Sequence, residues 1–117
     1  MKLSEEILTI KKSKFIGILY DIKTIDEVKD ILEALKKEHK KAKHMPYAYI
    51  VGPVAKKTDD KEPHNTAGVQ IYNSLIQNDL NHHLLVVVRY FGGVKLGSSN
   101  LLHAYKDTSL NTIKKVR

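Results

Sequence analysis

The chain has 117 residues, 42% of them hydrophobic, with 20 Lys plus Arg against 13 Asp plus Glu and a formal charge of +7. That length suits one domain with one core, too small for separate binding and catalytic domains, and the charge suits a polyanionic partner. The absence of cysteine excludes disulfides, thiolate catalysis and cysteine-ligated zinc.

Residues Met1 to Ile10 carry Glu5 and Glu6 and lack the continuous apolar stretch of a signal peptide; no apolar run is long enough to span a bilayer. A soluble, cytoplasmic protein without membrane contact is the expectation. Ile7 to Lys11 and Lys14 to Asp21 are predicted as strands, joined into a hairpin by Lys11 to Ser13. Thr24 with Glu27 has the form of a capping box, and Ile25, Val28, Ile31, Leu32 and Leu35 follow as one apolar stripe at helical spacing. Pro46 lies past the end of this helix, and Tyr47 to Gly52 reads as a short strand stopped by Gly52 and Pro53. Val54 to Pro63 is polar and charged, which predicts an exposed loop. Asn65 or Thr66 is placed to cap a second helix carrying Val69, Ile71, Tyr72, Leu75 and Ile76, after which Asn78 to Asn81 turns the chain. Leu84 to Val88 is an unbroken apolar run rich in β-branched residues, the pattern of a strand buried on both faces. Ser98 and Ser99 are placed to cap a third helix, with Leu102, Tyr105, Ser109, Leu110 and Ile113 at helical spacing. The order strand, strand, helix, strand, helix, strand, helix predicts an α+β domain: a two-layer α/β sandwich with helices on one face of a four-stranded sheet.

Between the buried strand and the third helix lies Arg89-Tyr-Phe-Gly-Gly-Val-Lys-Leu-Gly97. Free backbone N–H groups at a helix start favour anions, Gly92 and Gly93 lack side chains that would keep a ligand away, and Arg89 and Lys95 add positive charge. A tight turn with two solvated cations accounts for the loop equally well. Lys29, Lys36, Lys40 and Lys43 fall along one shoulder of an extended first helix, either as an anion-binding array or as a solvated face favoured by the helix dipole. Asp59, Asp60 and Glu62 have the chemistry to hold Mg²⁺, or Glu62 to act as a general base; pairing with Lys56, Lys57 and Lys61, or a role for Glu62 in organising the Arg89 loop, is the structural alternative. The six histidines form no metal set: His39 and His44 are five apart, and the adjacent His82 and His83 point to opposite sides of a strand. Tyr47, Tyr49, Tyr90 and Phe91 either stack bases beside the lysines or belong to the core.

Five ordered motifs resemble the Impact family, which includes the bacterial YigZ-type proteins. These are Lys12 to Ile16; Ala42, His44 and Ala48; Asp59, Asp60, Glu62 and Pro63; Thr66, Ala67 and Gly68; and a block comprising Arg89, Phe91, Gly92, Gly93, Lys95, Leu96, Gly97, Leu101, Ala104 and Tyr105. Lys61, Asn65, Ser99 and Asn100 stand where the family more often has glycine, Pro46 where cysteine is common and His103 where arginine is. The resemblance implies a fold similar to domain IV of elongation factor G, with a left-handed crossover, in a single Impact-type domain over residues 1–117. Bacterial relatives usually carry a second, ferredoxin-like domain and eukaryotic ones an N-terminal domain engaged in kinase-controlled translation. This chain is read as having neither, so kinase-pathway regulation is not carried over.

The function expected on these grounds is an RNA-binding or ribosome-associated module that influences translation. Arg89, Gly92, Gly93, Lys95, Gly97 and Ser98 would bind phosphate, Lys36, Lys40 and Lys43 would extend the footprint, and His44, Asp60, Glu62, Pro63, Thr66, Gly68 and Tyr105 would form the adjoining family-motif site. No cofactor or metal is expected. The alternative is an enzyme acting on a phosphorylated small molecule, since Leu96 to Ser99 resembles part of the phosphate loop of kinases related to galactokinase, although Lys95 stands where that motif has glycine.

Overall fold

In the computed structural model, which describes residues 1–117, β1 (Lys2–Ile10) turns through Lys11 and Lys12 into β2 (Ser13–Asp21). There follow α1 (Asp26–Glu38), β3 (Tyr47–Val51), β4 (Val54–Thr58), α2 (Gly68–Gln77), β5 (His83–Tyr90) and α3 (Ser98–Lys114). The sheet therefore has five strands rather than four, in the order β1-β2-β5-β3-β4, every neighbouring pair antiparallel. The added strand is β4, part of the segment expected as a loop. It is an edge strand with one side unpaired, so its sequence is polar: Lys56 covers the ring of Tyr47 at 5.8 Å and Lys57 that of Tyr72 at 5.3 Å.

Helices cover both faces of the sheet, not one. On one face Phe15 and Leu19 of β2 and Leu85 and Val87 of β5 pack with Ile71 and Leu75 of α2 and Leu101, Tyr105 and Ile113 of α3. On the other, the alternate residues Ile16, Ile18, Tyr20, Leu84, Val86 and Val88 pack with Val28 and Leu35 of α1. Phe15, Leu19 and Leu84 to Val88 are completely enclosed. Burying one leucine or valine side chain contributes about 1.5–3 kcal/mol, so this central pair of strands dominates the apolar core.

Two connections cross the sheet. From β2, α1 carries the chain past β5 to β3 on one face, while α2 carries it back from β4 past β3 to β5 on the opposite face. The two run in opposite directions across the sheet between strands of opposite direction, and a half-turn about the sheet normal superposes their paths except for the face. They are therefore of opposite hand, and one of them is left-handed against the usual preference.

The helix ends differ from the sequence expectation. Only half of the capping box forms: Glu27 accepts the N–H groups of Lys23 and Thr24 at 2.6 and 2.8 Å, while no side chain caps α1. These hydrogen bonds, led by that from Thr24, hold the exposed Glu27 carboxyl below its ordinary pKa. Helix α2 is capped neither by Asn65 nor by Thr66 but by Asp59, whose Oδ1 accepts the N–H groups of Ala67 and Gly68 and whose Oδ2 accepts that of Asn65. Ser98 and Ser99 lie inside the first turn of α3 rather than capping it. Helix α1 ends at Glu38, so Lys40 and Lys43 lie beyond it and the helical lysine array reduces to Lys29 and Lys36.

Candidate nucleic-acid interface

The register of β5 fixes what gathers around its C-terminal end. Lys14 pairs with Tyr90, His44 bridges Arg89, and Tyr47 lies opposite both Val86 and Thr58. The β1–β2 turn, the α1–β3 and β4–α2 segments and the β5–α3 loop consequently share one end of the sheet. These connections carry Lys11, Lys12, Lys40, Lys41, Lys43, Lys61 and Lys95, none of them in an ion pair.

The acidic residues of the same end face inward. Asp59 caps α2, and Asp60 accepts the N–H of Met45 at 2.6 Å, pinning the start of β3. Glu62 is 7% exposed and Arg89 4%. Arg89 Nη1 donates to both oxygens of Glu62 at 2.9 and 2.7 Å, the Tyr105 hydroxyl donates to Oε2, and His44 Nε2 stands 3.5 Å from Oε1. The carboxylates do not converge on a point, so the arrangement offers no Mg²⁺ cradle, and Glu62 is engaged by its own neighbours rather than poised as a base.

Arg89 was expected at the phosphate and instead holds the end of the fold together. Its guanidinium lies against Phe15 and Phe91, 5.6 and 5.9 Å from the ring centroids, and its Nε has no partner. Gly92 also differs from the expectation that it admits a ligand: a Cβ there would come within 2.1 and 2.2 Å of the Lys12 carbonyl carbon and oxygen. Its N–H donates to the buried Ser13 hydroxyl at 3.2 Å, locking the loop onto the β1–β2 turn. Gly93 and Gly97 have φ of +89° and +81° with open space around them, so they serve the path of the backbone.

The other family-motif residues are assembled nearby. Thr66 donates its hydroxyl to the Pro63 carbonyl at 2.7 Å, and Gly68 lies so close to the Thr58 backbone that a Cβ would meet it at 2.7 Å. Lys61 and Asn65, where glycine is common, have φ of +70° and +62°. Lys61→Gly is therefore expected to raise stability by about 0.5–1 kcal/mol, left-handed strain being partly offset by the entropy of glycine in the unfolded chain. A shift of the urea midpoint at constant slope would register it; an unchanged or lower midpoint would show that the turn carries no strain.

Burial pushes the Tyr105 hydroxyl well above the ordinary tyrosine pKa, with the Glu62 charge and the hydrogen bond adding to it. Burial likewise raises Tyr20, to about 12. Above pH ~10 the unfolded chain releases these protons while the folded chain keeps them. Stability is thus fully present below that pH and lost as pH rises, by about 1.4 kcal/mol per pH unit for each tyrosine. Tyr105→Phe is expected to reduce the stability lost between pH 10 and 11 by about 1 kcal/mol, because the unfolded tyrosine is only partly ionised there; an unaltered slope in urea titrations would contradict the assignment.

Above the cluster opens a cleft of about 380 Å³, its floor including Glu62 and Arg89 and its walls Lys43, Lys61, Phe91, Lys95, Gly97 and Ser98. It is the mouth of the α3 N-terminus, where Gly97 precedes the first helical turn. Lys43, Lys95, Gly97 and Ser98 thus come together, joined by Lys61, which was expected to pair with the acidic loop residues instead, whereas Lys36 lines a separate groove with Leu32, Tyr47 and Lys56, and Lys40 lies on an exposed turn. The capping role of Asp59 and the bracing role of Ser13 were not anticipated from the sequence. Asp59 acts across eight and nine residues and Ser13 across 79, separations for which no local spacing rule exists.

Residues 11–113 match the family model described as the Impact N-terminal domain. The chain belongs to the Impact family. It is 39% identical over 104 residues to the IMPACT family member YvyE of Bacillus subtilis and 35% identical over 101 residues to YigZ of Escherichia coli, covering 86% and 82% of this chain. Those matches take in 48% of YvyE and 50% of YigZ, so the chain spans about half the length of these curated relatives. A crystal structure described as a hypothetical protein superposes with a TM-score of 0.92 at 30% identity, covering 96% of this chain and 57% of that one. The two-domain translational regulator Yih1 superposes with a TM-score of 0.62 at 20% identity, covering 97% of this chain and 46% of Yih1, a likeness of fold. No helix is long and apolar enough to cross a membrane.

Proposed function

We propose that this Impact-family domain is an RNA-binding or ribosome-associated module acting on translation in the cytoplasm, with phosphates held at the cleft between the β5–α3 and β4–α2 segments. The observation that carries this reading is the segregation of charge at one end of the sheet: Lys43, Lys61 and Lys95 line the cleft unpaired, while Asp59, Asp60 and Glu62 are turned inward. The translational regulator Yih1 shares the fold, and the resemblance to domain IV of elongation factor G belongs to the same reading. The phosphate contacts fall to the lysines first, because Arg89 Nη1 is committed to Glu62.

Binding to a structured RNA or to ribosomal subunits is expected to weaken steeply with salt. Replacing Lys43, Lys61 and Lys95 together by Ala is expected to reduce the log–log salt slope by about 2–3, at roughly 0.7–0.9 per lost phosphate contact. Wild-type protein that fails to bind at low salt, or a triple variant with the parent's slope, would overturn the assignment.

The volume of the cleft favours a second reading, a phosphorylated small molecule, since about 300–1,000 Å³ is usual for such sites. Nucleotides or sugar phosphates, with and without Mg²⁺, would then raise the thermal midpoint of the free protein.

A further inference from the structure

Phe91 stands out among the aromatic residues. It is 43% exposed, whereas Phe15, Tyr20, Tyr49 and Tyr105 are buried and Tyr47, Tyr72 and Tyr90 are partly buried. It is thus the only exposed aromatic side chain in the molecule, and it stands at the wall of the basic cleft with the Lys43 ammonium 5.0 Å from its ring centroid. Val94, 44% exposed, stands on the same loop. One side of the ring covers the enclosed Arg89 guanidinium, which fixes where it stands, while the rest is left in water among unpaired lysines. Gly92 holds the next residue against the β1–β2 turn, so the ring is mounted on a braced loop.

We infer that the cleft takes an unpaired nucleotide of single-stranded RNA, its base stacked on Phe91 and its phosphate between Lys61 and Lys95. This inference rests on the RNA-binding reading and narrows it. A base within a duplex has both faces covered by its neighbours and offers none to Phe91, whereas unpaired bases stack on aromatic side chains irrespective of sequence. The Lys43 ammonium, on an exposed side chain, is free to move from the ring to the flanking phosphate. The buried Arg89–Glu62 pair supplies the floor.

The test compares a 12-nucleotide unstructured RNA with the same sequence in a blunt RNA duplex, by fluorescence anisotropy at several salt concentrations. The single strand is expected to bind wild-type protein about tenfold or more tightly than the duplex, the gain from one base–aromatic stack. Phe91→Ala should abolish that preference and leave the duplex affinity and its salt slope unchanged; Phe91→Tyr should restore it. Thermal unfolding of both variants checks that the loop is intact, and if Phe91→Ala proves unstable the comparison is made with Phe91→Leu, which keeps the apolar bulk without the ring. Equal binding of the two RNAs by wild-type protein, or equal loss of both in Phe91→Ala, would overturn the stacking site while leaving the lysine cleft standing. Failure of wild-type protein to bind either RNA at low salt would instead remove the RNA-binding reading itself.

Discussion

Glu62→Ala is expected to destabilise the domain by about 3–5 kcal/mol, the cost of leaving a buried charge without its partner. The substitution removes the acceptor from Arg89 Nη1 and from the Tyr105 hydroxyl, while Arg89 stays enclosed between Phe15 and Phe91. Arg89→Ala should be of similar size, because Glu62 would keep Tyr105 and His44 as neighbours but lose the only arginine within reach. Desolvation offsets much of the attraction between a buried pair, so replacing both partners by apolar residues of similar volume, Glu62→Leu with Arg89→Met, is expected to recover most of the loss. Urea unfolding of Glu62→Leu, of Arg89→Met and of the double variant closes the cycle. Additive losses, with no recovery in the double variant, would mean that the two residues act independently.

Gly92→Ala is expected to cost about 3 kcal/mol, the upper range for forcing extra volume into a packed site, since the obstacle is the Lys12 backbone rather than a movable side chain. Gly93→Ala and Gly97→Ala meet no neighbours and carry only backbone strain, about 1–2 kcal/mol for the positive φ of Gly93 and up to about 3 kcal/mol at Gly97, whose φ of 81° and ψ of 159° lie in a region open essentially to glycine alone. The ordering, with Gly92 more sensitive than Gly93, distinguishes a close approach of two backbones from a requirement for positive φ. Thermal and urea unfolding of the three variants would reveal it, and equal losses at Gly92 and Gly93 would refute the close approach.

The apolar patterns of β2, β5, α1 and α3 made those elements legible, because each buries a face whose period is local. Strand β4 was not legible: an edge strand exposing lysines has the composition of a loop, and only its pairing with β3 distinguishes it. The helix layers were misjudged despite a visible signal. Residues Phe15 to Tyr20 and Leu84 to Val88 run without polar interruption, apart from Gly17, and such runs call for cover on both faces of a sheet. Of the candidate site, Lys43, Lys95 and Ser98 were legible from charge and helix-start chemistry, whereas Lys61, read as a partner of the acidic loop residues, was not. The fate of Arg89 is only half visible in the sequence: the Glu62 motif allows a role in organising its loop, but the burial that removes Arg89 from solvent depends on Phe15, Phe91 and Tyr105 together.

The strand order bears on how the chain reaches this structure. Hairpins β1–β2 and β3–β4 are each local, yet they touch only through β5, which enters between them. Until residue 90 is available there is no continuous sheet, and the apolar faces of both hairpins wait for a strand synthesised after them. Ring closures of this span slow the search for the native state and prolong exposure of unpaired edges. The strand that positions Arg89 is thus also the keystone of assembly, so the frame beneath the basic cleft is set only when the sheet itself closes.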